Sequence, residues 1–150
     1  MQLSELLTTD RVVCNLSTQS KKRALEEISE LISRGESRVT INEVFDSLLA
    51  RERLGGTGIG HGVAIPHGRL KNTDMTIGAF IKLENAVDFD AIDNQPVDLI
   101  FALLVPENST QEHLQVLASI AGMFNDEQTR DKLRQADSAE QLYQIICDWK

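Results

Sequence analysis

The sequence predicts an α/β fold, a single domain over residues 1–150 in which a mixed β-sheet lies between layers of helices. Two observations favour this fold class. Short apolar segments alternate along the chain with amphipathic helical patterns, as is typical of α/β proteins. One of these segments, 97–105, is nearly all apolar, which is expected of a central strand that helices cover on both faces. A chain of 150 residues is also long enough to bury a core of its own.

The first half of the chain is predicted to form a strand and then two helices. Residues 12–16 are short and apolar-rich, which indicates a strand. A helical pattern with one apolar face follows Ser20, and Gly35 is expected to end it. A capping box at 40–43 begins the next helical pattern, which is expected to run to about Leu54 and to end at a pair of glycines.

The second half is predicted to contribute the main strands and then three helices. Every second residue of the segment 76–83 is apolar, from Ile77 to Leu83, which predicts a strand with one buried face. Phe80 lies between these residues and is therefore placed on the opposite face, which is not predicted to be buried. Capping boxes at 109–112 and 138–141 begin two helices. The first of these is expected to run to about Phe124, and a shorter helix follows it.

The charge of the chain excludes two classes of partner. The formal net charge is −8, whereas a nucleic-acid backbone or an anionic lipid surface requires a basic patch.

The first ten residues lack the basic and apolar regions of a signal peptide, and the longest apolar run is too short to span a bilayer. We therefore expect a cytoplasmic protein with no nucleic-acid partner and no insertion into a membrane.

A glycine-rich segment, 55–70, is the most unusual feature of the sequence. It contains six of the nine glycines and two of the three histidines. It follows a predicted helix rather than a strand and lacks the spacing of a dinucleotide fingerprint, and no Lys-Ser or Lys-Thr completes a phosphate-binding P-loop. Consecutive amides in such a loop can instead form a nest for a phosphoryl group. The candidate phosphate-loop residues are Thr57, Gly58, Gly60 and Gly68.

The histidine His67 is the candidate nucleophile of this segment. Pro66 restricts the backbone just before it, and a neutral imidazole is nucleophilic near pH 7. If the donor is itself a phosphohistidine, the transfer requires no cofactor and no metal, and we expect neither. The second ring nitrogen is expected to donate to a carbonyl, which fixes the tautomer.

Three further residues have two interpretations each on the sequence alone. His113 shares a helix face with apolar residues, so it is either a core histidine or a hydrogen-bond donor to a phosphoryl group. Arg51 lies at the end of a predicted helix, where it either complements the helix dipole or balances phosphate charge. His61 is either a tolerated loop residue or a second reactive imidazole.

Two segments resemble a known family. "RERLGGTGIGHGVAIPHGRL" (51–70) and "AIDNQPVDLIFALLVP" (91–106) resemble enzyme IIA components of the bacterial phosphoenolpyruvate:sugar phosphotransferase system. The similarity is to the fructose/mannitol class, and most closely to its nitrogen-type regulatory branch. "SKKRALEEISELI" (20–32) fits the same branch, so the resemblance covers essentially the whole chain. One position departs from the branch, which more often has Asn where this chain has His61.

The resemblance implies a fold, a reaction and a set of site residues. The family fold is an α/β sandwich with a mixed sheet flanked by helices. The phosphorylated residue corresponds to His67, through Nε2. His113 corresponds to the histidine that hydrogen-bonds the phosphoryl group, and Arg51 to the arginine that stabilises its charge. The implied donor is a small nitrogen-type carrier protein phosphorylated on histidine, and the implied targets are regulated proteins such as transporters or sensor kinases.

Three alternative functions remain open on the sequence. A sugar-specific enzyme IIA passes the phosphoryl group to the IIB component of a permease. A binding module holds an anionic metabolite in the glycine-rich segment without covalent chemistry. A metal hydrolase uses His61, His67 and His113 as ligands, although no carboxylate ligand stands at a suitable spacing.

Overall fold

The structure is a computed structural model that describes residues 2–34, 36, 38–71, 73–109 and 111–149. Within these residues the chain forms six β-strands and five α-helices after two short 3₁₀ turns. In chain order they are β1 (Val12–Leu16), α1 (Lys21–Arg34), α2 (Ile41–Leu54), β2 (Gly58–Gly60), β3 (Val63–Ala64), β4 (His67–Leu70), β5 (Ile77–Val87), β6 (Val97–Pro106), α3 (Gln111–Asn125), α4 (Glu127–Gln135) and α5 (Ala139–Asp148).

The strands of the described chain form one mixed sheet around β6. The order is β1-β5-β6-β3-β2, and β4 also pairs with β6. β6 runs antiparallel to β5 and parallel to both β3 and β4. Val63 lies opposite Leu99, whereas His67 lies opposite Leu103, four residues further along β6. At about 3.3 Å per residue, the two positions are about 13 Å apart along the strand.

Helices cover both faces of the sheet, which confirms the predicted fold class. Alternate residues of β6 point to opposite faces. Ile100 and Leu104 belong to one apolar cluster with residues of α1 and α2. Phe101 and Leu103 belong to a second cluster with residues of α3, α4 and α5. The predicted burial of this strand on both faces is therefore confirmed.

The prediction that β5 has one buried face is wrong. Phe80 is fully buried on the second face, where its ring packs against Phe101 and Phe124 with centroids 6.2 and 6.1 Å apart. Gly78 lies on the same face, and a Cβ there would be 3.2 Å from the Leu6 Cβ. The N-terminal 3₁₀ turn and α3 cover this face, so period-2 alternation alone underestimates the burial of β5.

The predicted helices are all present, and two of their caps are in place. Thr40 Oγ1 accepts a hydrogen bond from the Glu43 amide at 3.2 Å, and Ser138 Oγ accepts one at 3.2 Å from the amide three residues later. Two predicted helix ends cannot be compared in this way. Gly35, which is expected to end α1, and Thr110, which belongs to the capping box at 109–112, lie outside the described residues. No helix in the described part of the chain is long and apolar enough to cross a bilayer.

The glycine-rich segment has more regular structure than the sequence predicts. It contains three short strands, β2, β3 and β4, of which β2 and β3 form an antiparallel pair. From the sequence the segment is predicted to be a loop that contains one short apolar stretch at 63–65. The segment therefore joins the sheet and places His67 at the first position of a strand.

Candidate functional site

The candidate nucleophile, His67, lies half-buried at the start of β4 with its ring held by a backbone carbonyl. The Pro66 carbonyl accepts a hydrogen bond from the Leu103 amide at 2.9 Å, and this bond fixes the residue before His67 to β6. Nδ1 of His67 lies 2.9 Å from the Ile65 carbonyl oxygen. Because a carbonyl only accepts, Nδ1 carries the proton, and the lone pair of the neutral ring is on Nε2.

The structure brings His113 next to His67. His113 is in the first turn of α3 and is 6% exposed, and the two ring centroids are 5.4 Å apart at an interplanar angle of 50°. Its Nδ1 is buried and has no hydrogen-bond partner among the described residues. The interpretation as a core histidine with its polar atoms satisfied therefore does not fit, because buried polar atoms are normally paired.

Two arginines add positive charge to the histidine pair. Arg51 is in the last turn of α2, where its Nη1 donates to the Gly55 carbonyl at 2.9 Å. Arg69 follows His67 by two residues on β4, so both side chains point to the same side of the strand. Both charges lower the pKa of His67 and of His113. The contact between Arg51 and Gly55 supports a local role at the helix end, and its charge also acts on the site.

Both site histidines are neutral near pH 7. Burial is the main cause that lowers the pKa of His67, and Arg51 adds to it against the opposing hydrogen bond to Ile65. Burial also lowers the pKa of His113, and the positive charges of Arg69, of Arg51 and of His67 in its protonated form act in the same direction. The pair is therefore one nucleophile and one neutral neighbour that can donate a hydrogen bond.

The lowered pKa values predict how stability depends on pH. Between the lowered pKa and the ordinary value of about 6.5, the unfolded chain binds more protons than the folded chain. Stability is then complete above about pH 6.5 and falls as the pH decreases through that window. We expect the urea midpoint to fall less between pH 7 and pH 5 in a His67→Gln/His113→Gln variant than in the wild type. Equal losses in the two proteins would contradict the lowered pKa values.

Sequence comparison identifies the family of the chain. The family model described as "Phosphoenolpyruvate-dependent sugar phosphotransferase system, EIIA 2" matches residues 5–149. The chain belongs to this family. It is therefore an EIIA domain, a phosphorelay protein of the phosphotransferase system.

The EIIA domain is similar over its whole length to proteins named nitrogen regulatory protein. It is 47% identical over 148 residues to one from Pseudomonas aeruginosa, covering 99% of this chain and 96% of that protein. It is 49% identical over 149 residues to one from Escherichia coli (strain K12), covering 99% and 91%. The crystal structure of nitrogen regulatory protein IIA-Ntr from Neisseria meningitidis superposes with a TM-score of 0.91 at 46% identity, covering 96% of this chain and 98% of that one. These matches confirm the resemblance to the nitrogen-type branch.

A buried acidic residue of the EIIA domain, Glu52, is not predicted from the sequence as part of the site region. Its side chain is 2% exposed and forms a 2.8 Å ion pair with Lys21. The carboxylate also accepts hydrogen bonds from the hydroxyl and, at 3.3 Å, the amide of Thr57. A signal was available, because an acidic residue in the last turn of a helix opposes the helix dipole and needs a compensating partner.

The glycines of the EIIA loop make close backbone contacts with neighbouring elements. A Cβ on Gly58 would be 2.8 Å from the Ala91 Cα, and a Cβ on Gly68 would be 2.2 Å from the Ser47 Oγ. Gly60 has φ +99°, which disfavours any residue with a side chain. These contacts explain the glycines by packing, and the Thr57 hydroxyl is already bound. The assignment of the four residues to phosphate binding stays a prediction.

The third histidine, His61, lies apart from the pair, at the tip of the β2–β3 hairpin. Val63, which follows the tip, lies about 13 Å from His67 along β6, and His61 lies before Val63, so His61 does not join the pair of His67 and His113. Its amide donates to Asp93 Oδ2 at 3.1 Å, and its carbonyl accepts from Arg134. His61 has φ +59°, a left-handed conformation in which Asn, Asp and His are enriched. The backbone therefore explains why Asn and His both suit this position.

Proposed function

We propose that this EIIA domain accepts a phosphoryl group on Nε2 of His67 from a small, histidine-phosphorylated carrier protein of the nitrogen type. Its phosphorylation state then decides which target proteins it binds in the cytoplasm. The observation that carries the proposal is the 2.9 Å hydrogen bond from Nδ1–H of His67 to Ile65 beside the buried ring of His113. This bond leaves the Nε2 lone pair available to a donor.

The proposed transfer needs no proton to move on the acceptor. The Nε2 lone pair forms the new N–P bond, while the donor's N–P bond breaks and its electron pair stays on the donor nitrogen. The His67 ring becomes a phosphorylated imidazolium that keeps its Nδ1 proton. The Ile65 carbonyl accepts a hydrogen bond from that proton and so stabilises the positive ring. Catalysis then consists of positioning and charge stabilisation.

The charges around His67 support an anionic group at this position. The chain as a whole has a formal net charge of −8, yet Arg51 and Arg69 lower the pKa of both site histidines, while the opposing carboxylate of Glu52, which raises the pKa of His67, is paired with Lys21. His113, neutral and with a buried ring nitrogen that lacks a partner in the described chain, can donate its N–H to a phosphoryl oxygen. A phosphoryl group on Nε2 is therefore met by two cations and one neutral donor.

Phosphorylation of His67 is expected to change the surface that targets meet. A phosphoryl group adds about two negative charges and new acceptor oxygens next to two arginines. Relatives at 47–49% identity carry the name nitrogen regulatory protein, which supports a regulatory output. Transporters and sensor kinases are the target classes that the proposal includes. A pull-down that recovers identical partners with wild type and His67→Ala would count against this output.

The direct test is intact-protein mass spectrometry after incubation with a histidine-phosphorylated carrier. We expect the wild type to gain the mass of one phosphoryl group, and the gain to be lost on acid treatment. His67→Ala is expected to gain nothing, whereas the matched control His61→Ala is expected to behave as wild type. No gain in any protein, with a carrier shown to phosphorylate another acceptor, would instead favour a module that binds an anion without chemistry.

The second candidate function is a sugar-specific enzyme IIA that passes the phosphoryl group to a IIB component. The family description, which names a sugar phosphotransferase system, favours keeping it. The two functions differ in the fate of the phosphoryl group. Phosphorylated protein mixed with fructose- or mannitol-type IIB domains is expected to retain its label under the regulatory proposal. Rapid transfer to a IIB domain would support the sugar-specific function.

A further inference from the structure

A buried ion pair next to the site is not used by the proposed transfer. Lys21, at the start of α1, lies 2.8 Å from the Glu52 carboxylate in the last turn of α2. The Glu52 side chain is 2% exposed, whereas the second acidic partner of Lys21, Asp90, is 74% exposed and 3.3 Å away. The pair therefore joins two helices and the β5–β6 loop beneath the glycine-rich segment.

A continuous series of hydrogen bonds leads from this ion pair to His67. The Glu52 carboxylate accepts from both the hydroxyl and the amide of Thr57. The Thr57 carbonyl accepts from the Ile65 amide at 3.0 Å. The Ile65 carbonyl in turn accepts from Nδ1 of His67 at 2.9 Å. Residue Ile65, whose carbonyl fixes the imidazole proton, is thus held at its amide by Thr57, which Glu52 holds in turn.

The position of the Glu52 carboxylate is electrostatically unfavourable for the folded protein. A carboxylate near the C-terminus of a helix opposes the helix dipole, and burial of a charge has a large desolvation cost. Lys21 and the two hydrogen bonds from Thr57 compensate these costs. An apolar residue could fill the same volume without any compensation, but it could not accept the hydrogen bonds by which the Thr57 amide and hydroxyl are held in place. The geometry therefore favours a role of Glu52 in orienting Thr57 over a role in stabilising the fold.

We propose that Glu52 is a positioning residue for phosphoryl acceptance. Its carboxylate, neutralised by Lys21, holds Thr57, and Thr57 in turn holds residue Ile65 by its amide, so that the Ile65 carbonyl stays where it keeps the His67 proton on Nδ1 and the lone pair on Nε2. The inference rests on the proposed function, because it assigns a purpose to the tautomer of His67. It does not require Glu52 to contact the carrier or the phosphoryl group.

The first readout of the test is the tautomer of His67, measured by ¹⁵N NMR of its ring nitrogens in the folded protein. The wild type is expected to show the Nδ1–H form, and Glu52→Gln a mixture of the two tautomers. Asp90→Asn is the matched control, because it removes the exposed partner of Lys21 and leaves the bonds to Thr57 in place. It is expected to keep the wild-type tautomer. A merely structural role would leave the His67 tautomer unchanged in any folded Glu52 variant.

The second readout is the rate of phosphoryl acceptance from the carrier. Glu52→Gln is expected to lower the maximal rate about ten- to a hundredfold, because the nucleophile is misoriented, while the carrier concentration at half-maximal rate stays unchanged. If Glu52→Gln does not fold, Thr57→Val removes only the hydroxyl, and Thr57→Ser restores it. The expected result is then a mixed tautomer and a lower rate in the Val variant, and recovery of the Nδ1–H tautomer in the Ser variant.

The outcomes separate this inference from the proposed function. Wild-type tautomer and rate in folded Glu52→Gln, or in Thr57→Val, would overturn the positioning role and leave phosphoryl acceptance by His67 intact. A wild type that never accepts a phosphoryl group would overturn the proposed function. The NMR measurement still decides in that case whether Glu52 sets the tautomer of His67.

Discussion

Replacement of His113 by alanine is expected to slow phosphoryl acceptance by His67 about a hundredfold or more. A donor aimed at developing charge in a site protected from water contributes about 10²–10³ in rate. The ring of His113 is buried with its centroid 5.4 Å from that of His67, and burial keeps its pKa low, so it is a neutral donor. Initial rates with excess phosphorylated carrier measure the effect. His67 itself remains present, so the variant is expected to reach full phosphorylation slowly.

Two further variants of His113 separate donation from packing. His113→Gln keeps an N–H donor and is expected to retain part of the rate, whereas His113→Phe fills the space without a donor and is expected to resemble alanine. A rate close to wild type in the Phe variant would show that the buried ring serves the core. Urea denaturation of each variant checks that the site is folded at the temperature of the assay.

Much of the fold follows from local patterns in the sequence. Capping residues such as Thr40 and Ser138 mark helix starts because a side-chain oxygen beside the first turn satisfies amides that the helix leaves free. The segment 97–105 predicts a central strand because only a strand covered on both faces has no polar alternation. These signals are local, and the structure forms the same elements with small differences at their ends.

Features that depend on distant contacts are not predictable in this way. The second buried face of β5 exists because Phe80 meets Phe101 and Phe124, which lie 21 and 44 residues away. β4 pairs with β6, so its four residues become a strand only in the presence of that partner. Arg69 is likewise not predictable as a site residue, because its side chain lies on the same side as that of His67 only when β4 is a strand.

The candidate site was predictable to the extent that its chemistry is carried by residue type. An imidazole after proline and before glycine at His67 indicates a presented nucleophile, and the helix face of His113 predicts that it points inward. For Glu52 the sequence shows only an acidic residue in the last turn of a helix, because its partners Lys21 and Thr57 come from other parts of the fold. The loop glycines predict a nest of amides for a phosphoryl group, whereas the structure also shows that they make close packing contacts.

Replacement of Gly68 by alanine is expected to destabilise the protein by about 1–3 kcal/mol, the usual cost of a side chain forced into a packed region. Gly68 lies beside α2, and the added Cβ would be 2.2 Å from the Ser47 Oγ and 3.1 Å from the Ser47 backbone carbon. The Ser47 hydroxyl would have to rotate away and give up its 2.8 Å hydrogen bond to the Arg69 carbonyl. Urea unfolding at pH 7.5 measures the loss.

A second variant decides whether this close approach is the cause. In a Ser47→Ala background the shortest contact is absent, so Gly68→Ala is expected to have a smaller effect there, and the double-mutant cycle should show coupling between the two positions. Equal effects in the two backgrounds would show that the Ser47 hydroxyl is not the cause and would leave the contacts with the Ser47 Cβ and backbone carbon, both 3.1 Å from the added Cβ, as the reason for glycine. A coupled, folded double variant that still accepts a phosphoryl group at the wild-type rate would instead assign Gly68 to the packing of β4 against α2.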